Sequence, residues 1–138
     1  TPDFSVTVGG SYVSEDFFAT SVGTVTLNAP KLKGTVAAEY RNEPSGLSGE
    51  VRARWNDEFP VRSGVYEGTA CIEPTDTTAQ PCVESYTLFD VVLGYTLPQI
   101  RGASLQLSIQ NLLDEDYRSF PGVPNIGRMA LLRLRYEF

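Results

Sequence analysis

The chain contains no histidine and a single methionine. Without imidazole it lacks the usual general base and the commonest metal ligand. Its two cysteines, Cys71 and Cys82, cannot complete a structural zinc site without histidine. No nucleophile elbow and no carboxylate pair in an apolar setting is visible, so no catalytic residue, metal or cofactor is assigned. Basic residues are scarce: 11 Lys and Arg stand against 17 Asp and Glu, a net charge of −6. With no basic stripe to meet phosphates, a nucleic-acid partner is not expected. No run reaches the roughly 18 consecutive apolar residues of a membrane helix. That absence does not exclude a membrane, because a spanning β-strand needs only about 9–11 alternating residues. The opening "TPDFSVTVGG" has no initiator Met, basic n-region or apolar h-region. It reads as a mature or cut piece rather than a precursor.

What the chain does have is alternation. A period of two recurs six times, and almost nothing reads as helix. Strands are expected near 4–13, 33–42, 47–57, 86–97, 103–112 and 129–138. Each has an apolar face and a polar face. Phe4, Val6, Val8 and Tyr12 oppose Ser5, Thr7 and Ser11; Val51, Ala53 and Trp55 oppose Glu50, Arg52 and Arg54; Leu105, Leu107 and Ile109 oppose Gln106 and Ser108. The final strand sets Leu132, Leu134, Tyr136 and Phe138 against Arg133, Arg135 and Glu137.

The connections also alternate. "NEPSGL" and "PQIRG" are compact turns, punctuated by Pro and Gly. The other three, 14–32, 58–85 and 113–128, are long. Strands running up and down would put every short turn at one end and every long loop at the other. Cys71 and Cys82 lie in a polar stretch of the second long loop. They read either as two free thiols or, preferably, as a loop disulfide formed in an oxidising compartment. Closing so short a loop would contribute roughly 3 kcal/mol at most.

A soluble β-sandwich also alternates. Loop asymmetry argues for an outer-membrane barrel instead. So do the aromatics, which gather toward strand ends on the apolar face. Tyr40 and Tyr95, with Phe4, Tyr136 and Phe138, fall at the short-turn end, while Tyr12 and Trp55 fall at the long-loop end. A bilayer favours two such girdles. The polar face carries Glu39, Arg41, Glu50, Arg52, Arg54, Asp90, Arg133 and Arg135, suited to a wet lumen or equally to a solvated sandwich face. Membrane barrels start at about eight strands, and an open sheet edge in lipid leaves backbone groups unpaired. Six strands should therefore be the C-terminal part of a larger barrel, or be completed by other chains.

The stretch "LQLSIQNLLDEDYRSFPGVPNIGRMALLRLRYEF" resembles the C-terminal end of TonB-dependent outer-membrane receptors. The matching residues are Asn111, Leu112, Leu113, Asp114 and Tyr117, then Pro121, Gly122, Pro124, Gly127 and Arg128, and the terminal Tyr136 and Phe138. Upstream, "APKLKGTVAAEYR" resembles the family's Pro-x-x-Lys-Gly strand start, and "YTLFDVVLGYTL" another of its barrel segments. The resemblance spans most of the chain. It implies an all-β, antiparallel, up-and-down transmembrane barrel of 22 strands, of which this chain supplies about six. It implies a plug domain inside the barrel, and import of a siderophore, vitamin, oligosaccharide or peptide driven through TonB. The implied partners are outer-membrane lipid, the remainder of the barrel and plug, TonB acting through a region absent from this chain, and the barrel-assembly machinery. Tyr136 and Phe138 would be the assembly signal, although Arg133 stands where such signals often carry Gly. The implied location is the bacterial outer membrane, with the C-terminus periplasmic and the long loops extracellular. The alternatives are a passive outer-membrane pore or surface assembly platform, and a secreted β-sandwich binding module.

Two local readings complete the expectations. Asn111 and Asp114 end a strand by local hydrogen bonding, as Asn and Asp readily do. Asp114, Glu115 and Asp116 could instead hold calcium, although the spacing lacks a full ligand set. The polar-face charges either pair with one another or steer a solute.

Overall fold

The computed structural model describes residues 3–15, 17–61, 82–120 and 123–138. Cys71, Pro121, Gly122 and most of the second long loop lie outside these residues. The described residues are all-β. The strands are β1 (Asp3–Tyr12), β2 (Phe17–Thr20), β3 (Gly23–Thr26), β4 (Leu32–Asn42), β5 (Leu47–Asn56), β6 (Phe59–Pro60), β7 (Cys82–Val83), β8 (Tyr86–Thr96), β9 (Ala103–Gln110) and β10 (Met129–Tyr136). Six of them form one antiparallel sheet in the order β1-β4-β5-β8-β9-β10. The short pairs β2–β3 and β6–β7 are separate ladders.

The meander follows from the turns. Between β4 and β5, Ser45 N–H donates to Asn42 Oδ1 at 3.3 Å, and Gly46 N–H to Glu43 O at 3.1 Å. Gly46 has φ +72°, which favours glycine, and a Cβ there would stand 2.5 Å from Thr96 O. Between β8 and β9, Gly102 has φ +82°, and its own Cβ would collide with Glu137 O. Gly102 O accepts from Glu137 N–H at 2.9 Å, so this turn also pins the chain's last residues.

Register fixes the two faces. One line of directly paired residues runs across all six strands: Val6, Ala38, Val51, Val91, Ile109 and Ala130. All are aliphatic and all share one face. Beyond that line β1 continues six residues to Tyr12, while β10 continues one, to Met129. In the other direction β1 stops three residues away, at Asp3, while β10 runs six, to Tyr136. The strands therefore slip steadily past one another. At about 3.3 Å per residue and 4.8 Å per strand, the slip corresponds to a tilt of about 20–35°.

The stretches 14–32 and 58–85, expected to be loops, each contain a small ladder. In the first, β2 and β3 are joined through Ser21 and Val22, with Thr20 paired to Gly23. Four-residue strands are too short for a period to declare itself. In the second, Phe59 pairs with Val83 and Pro60 with Cys82. Phe59, Val61 and Val83 form a buried cluster, with Tyr86 and Phe120 packed against it. β9 ends at Gln110, short of the expected 112, because Asn111 turns to φ +53°. β10 ends at Tyr136, so Phe138 lies beyond the ladder instead of closing it.

Candidate functional site

The sheet leaves its apolar face uncovered: Val6, Val8, Val36, Val51, Leu93, Leu132 and Leu134 are all exposed, Val8 by 73%. Its polar face is sheltered only locally, at Ala37, Leu88 and Asp90, while Glu39, Arg41, Arg52, Arg133 and Arg135 are exposed. The Asp90 side chain is only 16% exposed, and Leu88, on the same polar face, is 1% exposed. Among described residues of the sheet's apolar face, only Ala103, beside the turn, is buried. The apolar cluster of Phe59, Val61 and Val83 packs with Tyr86 of the polar face, at the long-loop end. Exposing this much contiguous apolar surface to water is costly, so the face needs a partner.

The girdle residues fall at two levels. Trp55 stands across from Gly34, which pairs with Gly10, close to Tyr12 at the long-loop end. Tyr40 pairs with Phe4, and Tyr95 with Leu47 and Leu105, toward the short turns. Tyr136 sits opposite Ala103, its ring 6.2 Å from that of Phe138. The aliphatic line from Val6 to Ala130 runs between the two levels.

On the polar face, Arg54 and Asp90 form a fork. Nε donates to Oδ2 at 2.8 Å and Nη2 to Oδ1 at 3.2 Å. The register sets Arg52, not Arg54, directly opposite Asp90, so this pair is diagonal. Arg52 turns instead to Glu50 on its own strand, at 2.6 Å. Arg135 similarly meets Glu137. Glu39 stands opposite Glu50, and Arg41 opposite both Asp3 and Ser48. Among described residues, Glu39, Arg41 and Arg133 make no ion pair within 4 Å. At the long-loop end of the strands, a groove of about 470 Å³ is lined by Ser11, Lys33, Arg54, Asn56 and Tyr86 among others. It offers ammonium, guanidinium, amide and hydroxyl groups, which suits hydrogen bonding to a polar solute and supplies no nucleophile–base pair.

The last long loop is locked at its base. Asp90 Oδ1 also accepts Asn111 N–H at 3.0 Å. Asn111, 3% exposed, accepts Glu115 N–H on Oδ1 at 2.8 Å. Its Nδ2 donates to Glu115 O at 2.8 Å and Ile126 O at 3.2 Å. One amide thus joins the start of the loop to its end. Leu112 N–H donates to Phe89 O at 2.7 Å, tying the loop to β8. Asp114, at φ +59°, repeats the device: Oδ1 accepts Arg128 N–H at 2.7 Å, and Oδ2 lies 3.5 Å from Arg128 Nη2. Gly127 lies alongside, where a Cβ would come within 3.3 Å of Asp114 Oδ1. Tyr117 packs against Tyr86 with the rings tilted by 39° and their centroids 4.7 Å apart. These contacts give Asn111, Leu112, Asp114, Tyr117, Gly127 and Arg128 a common structural purpose. Asp114 is committed to Arg128, and among described residues no group of three potential ligands gathers for a metal.

The sequence reading missed three things: the diagonal Arg54–Asp90 fork, its link to Asn111, and the cluster around Val61. Phe59, Val61 and Val83 do alternate with Pro60 and Cys82, but over too few residues to stand out. Among described residues no cysteine is free. The partner expected for Cys82, Cys71, lies outside them. Comparison of the chain with protein-family models, curated proteins and solved structures finds no match.

Proposed function

We propose that the chain is a segment of a transmembrane β-barrel whose open apolar face lies in lipid and whose charged face lines an aqueous lumen. The observation that carries this reading is the uncovered apolar face, an aliphatic line from Val6 to Ala130 set between aromatics, with the charges gathered on the opposite face. A β-sandwich would bury the apolar face beneath a second sheet, and among described residues no sheet covers it. The strand stagger and short turns at one end accord with barrel closure. The two free edges, β1 and β10, pair with strands outside this chain, since unpaired edge groups in lipid cost several kcal/mol each.

Within that class, the particular reading is the C-terminal barrel segment of a TonB-dependent outer-membrane receptor that imports a scarce nutrient. It rests on the resemblance, of whose residues Asn111, Leu112, Asp114, Tyr117, Gly127 and Arg128 take part in one loop lock or pack beside it. The long loops then face outward, the Tyr136 and Phe138 end is periplasmic, and Cys71 and Cys82 form an extracellular-loop disulfide. The plug, the remaining strands and the TonB-contacting region belong to the rest of the protein. A passive pore would share the barrel, so energy dependence separates the two. In cells expressing the full-length protein, uptake of the nutrient it supports should stop when TonB is deleted. Uptake unchanged without TonB would contradict the receptor reading and leave the pore.

A further inference from the structure

The polar-face groove at the long-loop end differs in charge from the chain around it. Thr35 and Arg54 stand opposite each other in one register row, with Lys33, flanked by Ser11 and Asn56, in the next. The chain holds 17 Asp and Glu against 11 Lys and Arg, yet the described residues lining this groove include two cations and no carboxylate. Gly9 keeps the groove open. It pairs with Thr35, a Cβ there would meet nothing within 4 Å, and its φ lies outside the left-handed region that favours glycine. The fold itself does not call for glycine here, and a larger side chain would stand in the groove. Glycine inside a strand often marks a place where something approaches the backbone closely.

The two cations are both available to an anion. Arg54 gives Nε and Nη2 to Asp90, at 2.8 and 3.2 Å, and its side chain is still 41% exposed. A guanidinium carries five N–H donors in a fixed fork, so the Nη1 edge remains for a second acceptor. Asp90, itself holding Asn111 N–H, fixes the direction of that edge. Lys33 makes no ion pair within 4 Å among described residues. It lies diagonal to Arg54, since Lys33 pairs with Asn56 and Arg54 with Thr35. Diagonal neighbours stand about 7–8 Å apart, which lets two long side chains close on one anionic group.

We propose that this groove binds the anionic group, carboxylate or phosphate, of a small hydroxylated solute. Lys33 Nζ and Arg54 Nη1 take the anionic oxygens, and Ser11 and Asn56, on either side of Lys33, hydrogen-bond to the uncharged part. Asp90 touches no solute; it is a positioning residue that acts through Arg54. The inference rests on the membrane reading, which makes the polar face the wall of a lumen, and it narrows the imported nutrient to a class that carries negative charge.

The test uses the full-length protein in mild detergent and three probes that share one hydroxylated body: gluconate, glucose phosphate and uncharged glucose. Affinities are measured by ligand-observed NMR titration at low ionic strength. At least one anion should bind more tightly than glucose, and added sodium chloride should weaken it. The tighter of the two anions shows whether carboxylate or phosphate is preferred. Lys33→Gln should weaken anion binding about tenfold, the effect of one charge-assisted contact, while Lys33→Arg keeps most of it. Gly9→Val, which intrudes on the groove without meeting the fold, should weaken it too. Arg135→Gln, on the same face at the short-turn end, should leave it unchanged. Anions that bind no better than glucose, or as tightly to both Lys33→Gln and Gly9→Val as to the parent, overturn the proposal. The membrane reading is checked apart from this, by the gel-mobility shift on boiling after folding into vesicles. A protein that folds there and ignores both anions overturns the groove alone; one that never enters the vesicles overturns the membrane reading with it.

Discussion

Replacing Val51 with arginine separates a membrane face from a solvated one. Val51 lies in the aliphatic line across the sheet, between Ala38 and Val91, and is 50% exposed. In water, a substitution at such an open position changes stability by about 0.5 kcal/mol or less. At the middle of a bilayer, arginine on the lipid face of a barrel costs about 2–4 kcal/mol. The intermediate cost that ordinary core burial would give is removed by the exposure itself. The control is Ser5→Arg, one register step away on the polar face and directly opposite Glu39. There the new cation gains a carboxylate and should be neutral within about 0.5 kcal/mol. The assay is the urea dependence of folding into phospholipid vesicles, followed by the shift in gel mobility between boiled and unboiled samples. Val51→Arg should shift the folding equilibrium by about two orders of magnitude and Ser5→Arg by little. Equal tolerance of both substitutions would refute the assignment of faces.

Other consequences are more local. Asn111→Ala removes three hydrogen bonds from a buried side chain and a residue type suited to φ +53°. It should cost about 3 kcal/mol in the same urea titration and open the last loop to proteolysis. Asp90→Asn breaks the Arg54 fork and weakens the hold on Asn111 N–H, for about 1–2 kcal/mol. Arg52→Gln, at a pair whose arginine is nearly half exposed, should cost under about 0.5 kcal/mol. Gly102→Ala meets both a positive φ and Glu137 O, and should lose at least about 2 kcal/mol. Gly49→Ala, with neither obstacle, should fold at least as well as the parent chain by the same titration.

Much of the sheet was legible because each long strand carries two chemically distinct faces. In β5, Val51, Ala53 and Trp55 against Glu50, Arg52 and Arg54 leave no doubt about period or phase. The short ladders were not legible, since β6 and β7 have two residues each and owe their pairing to the cluster around Val61. At the loop lock, the sequence marks a strand end at Asn111 and Asp114. What it does not carry is that Asn111 reaches Ile126 and Asp114 reaches Arg128, contacts fourteen or fifteen positions away. The Arg54–Asp90 pair was obscured for a similar reason: sequence alternation names the face, but only the register shows that these two meet diagonally.

The central claim is that one face of the sheet meets lipid and the other meets water. Spin labels placed singly along β5, from Leu47 to Asn56, in the full-length protein in bilayers, test it directly. Accessibility to oxygen should peak at 49, 51, 53 and 55, and accessibility to a water-soluble nickel chelate at 50, 52 and 54, two period-two patterns of opposite phase. Patterns in phase with one another, or nickel access at 51 and 53, would contradict it.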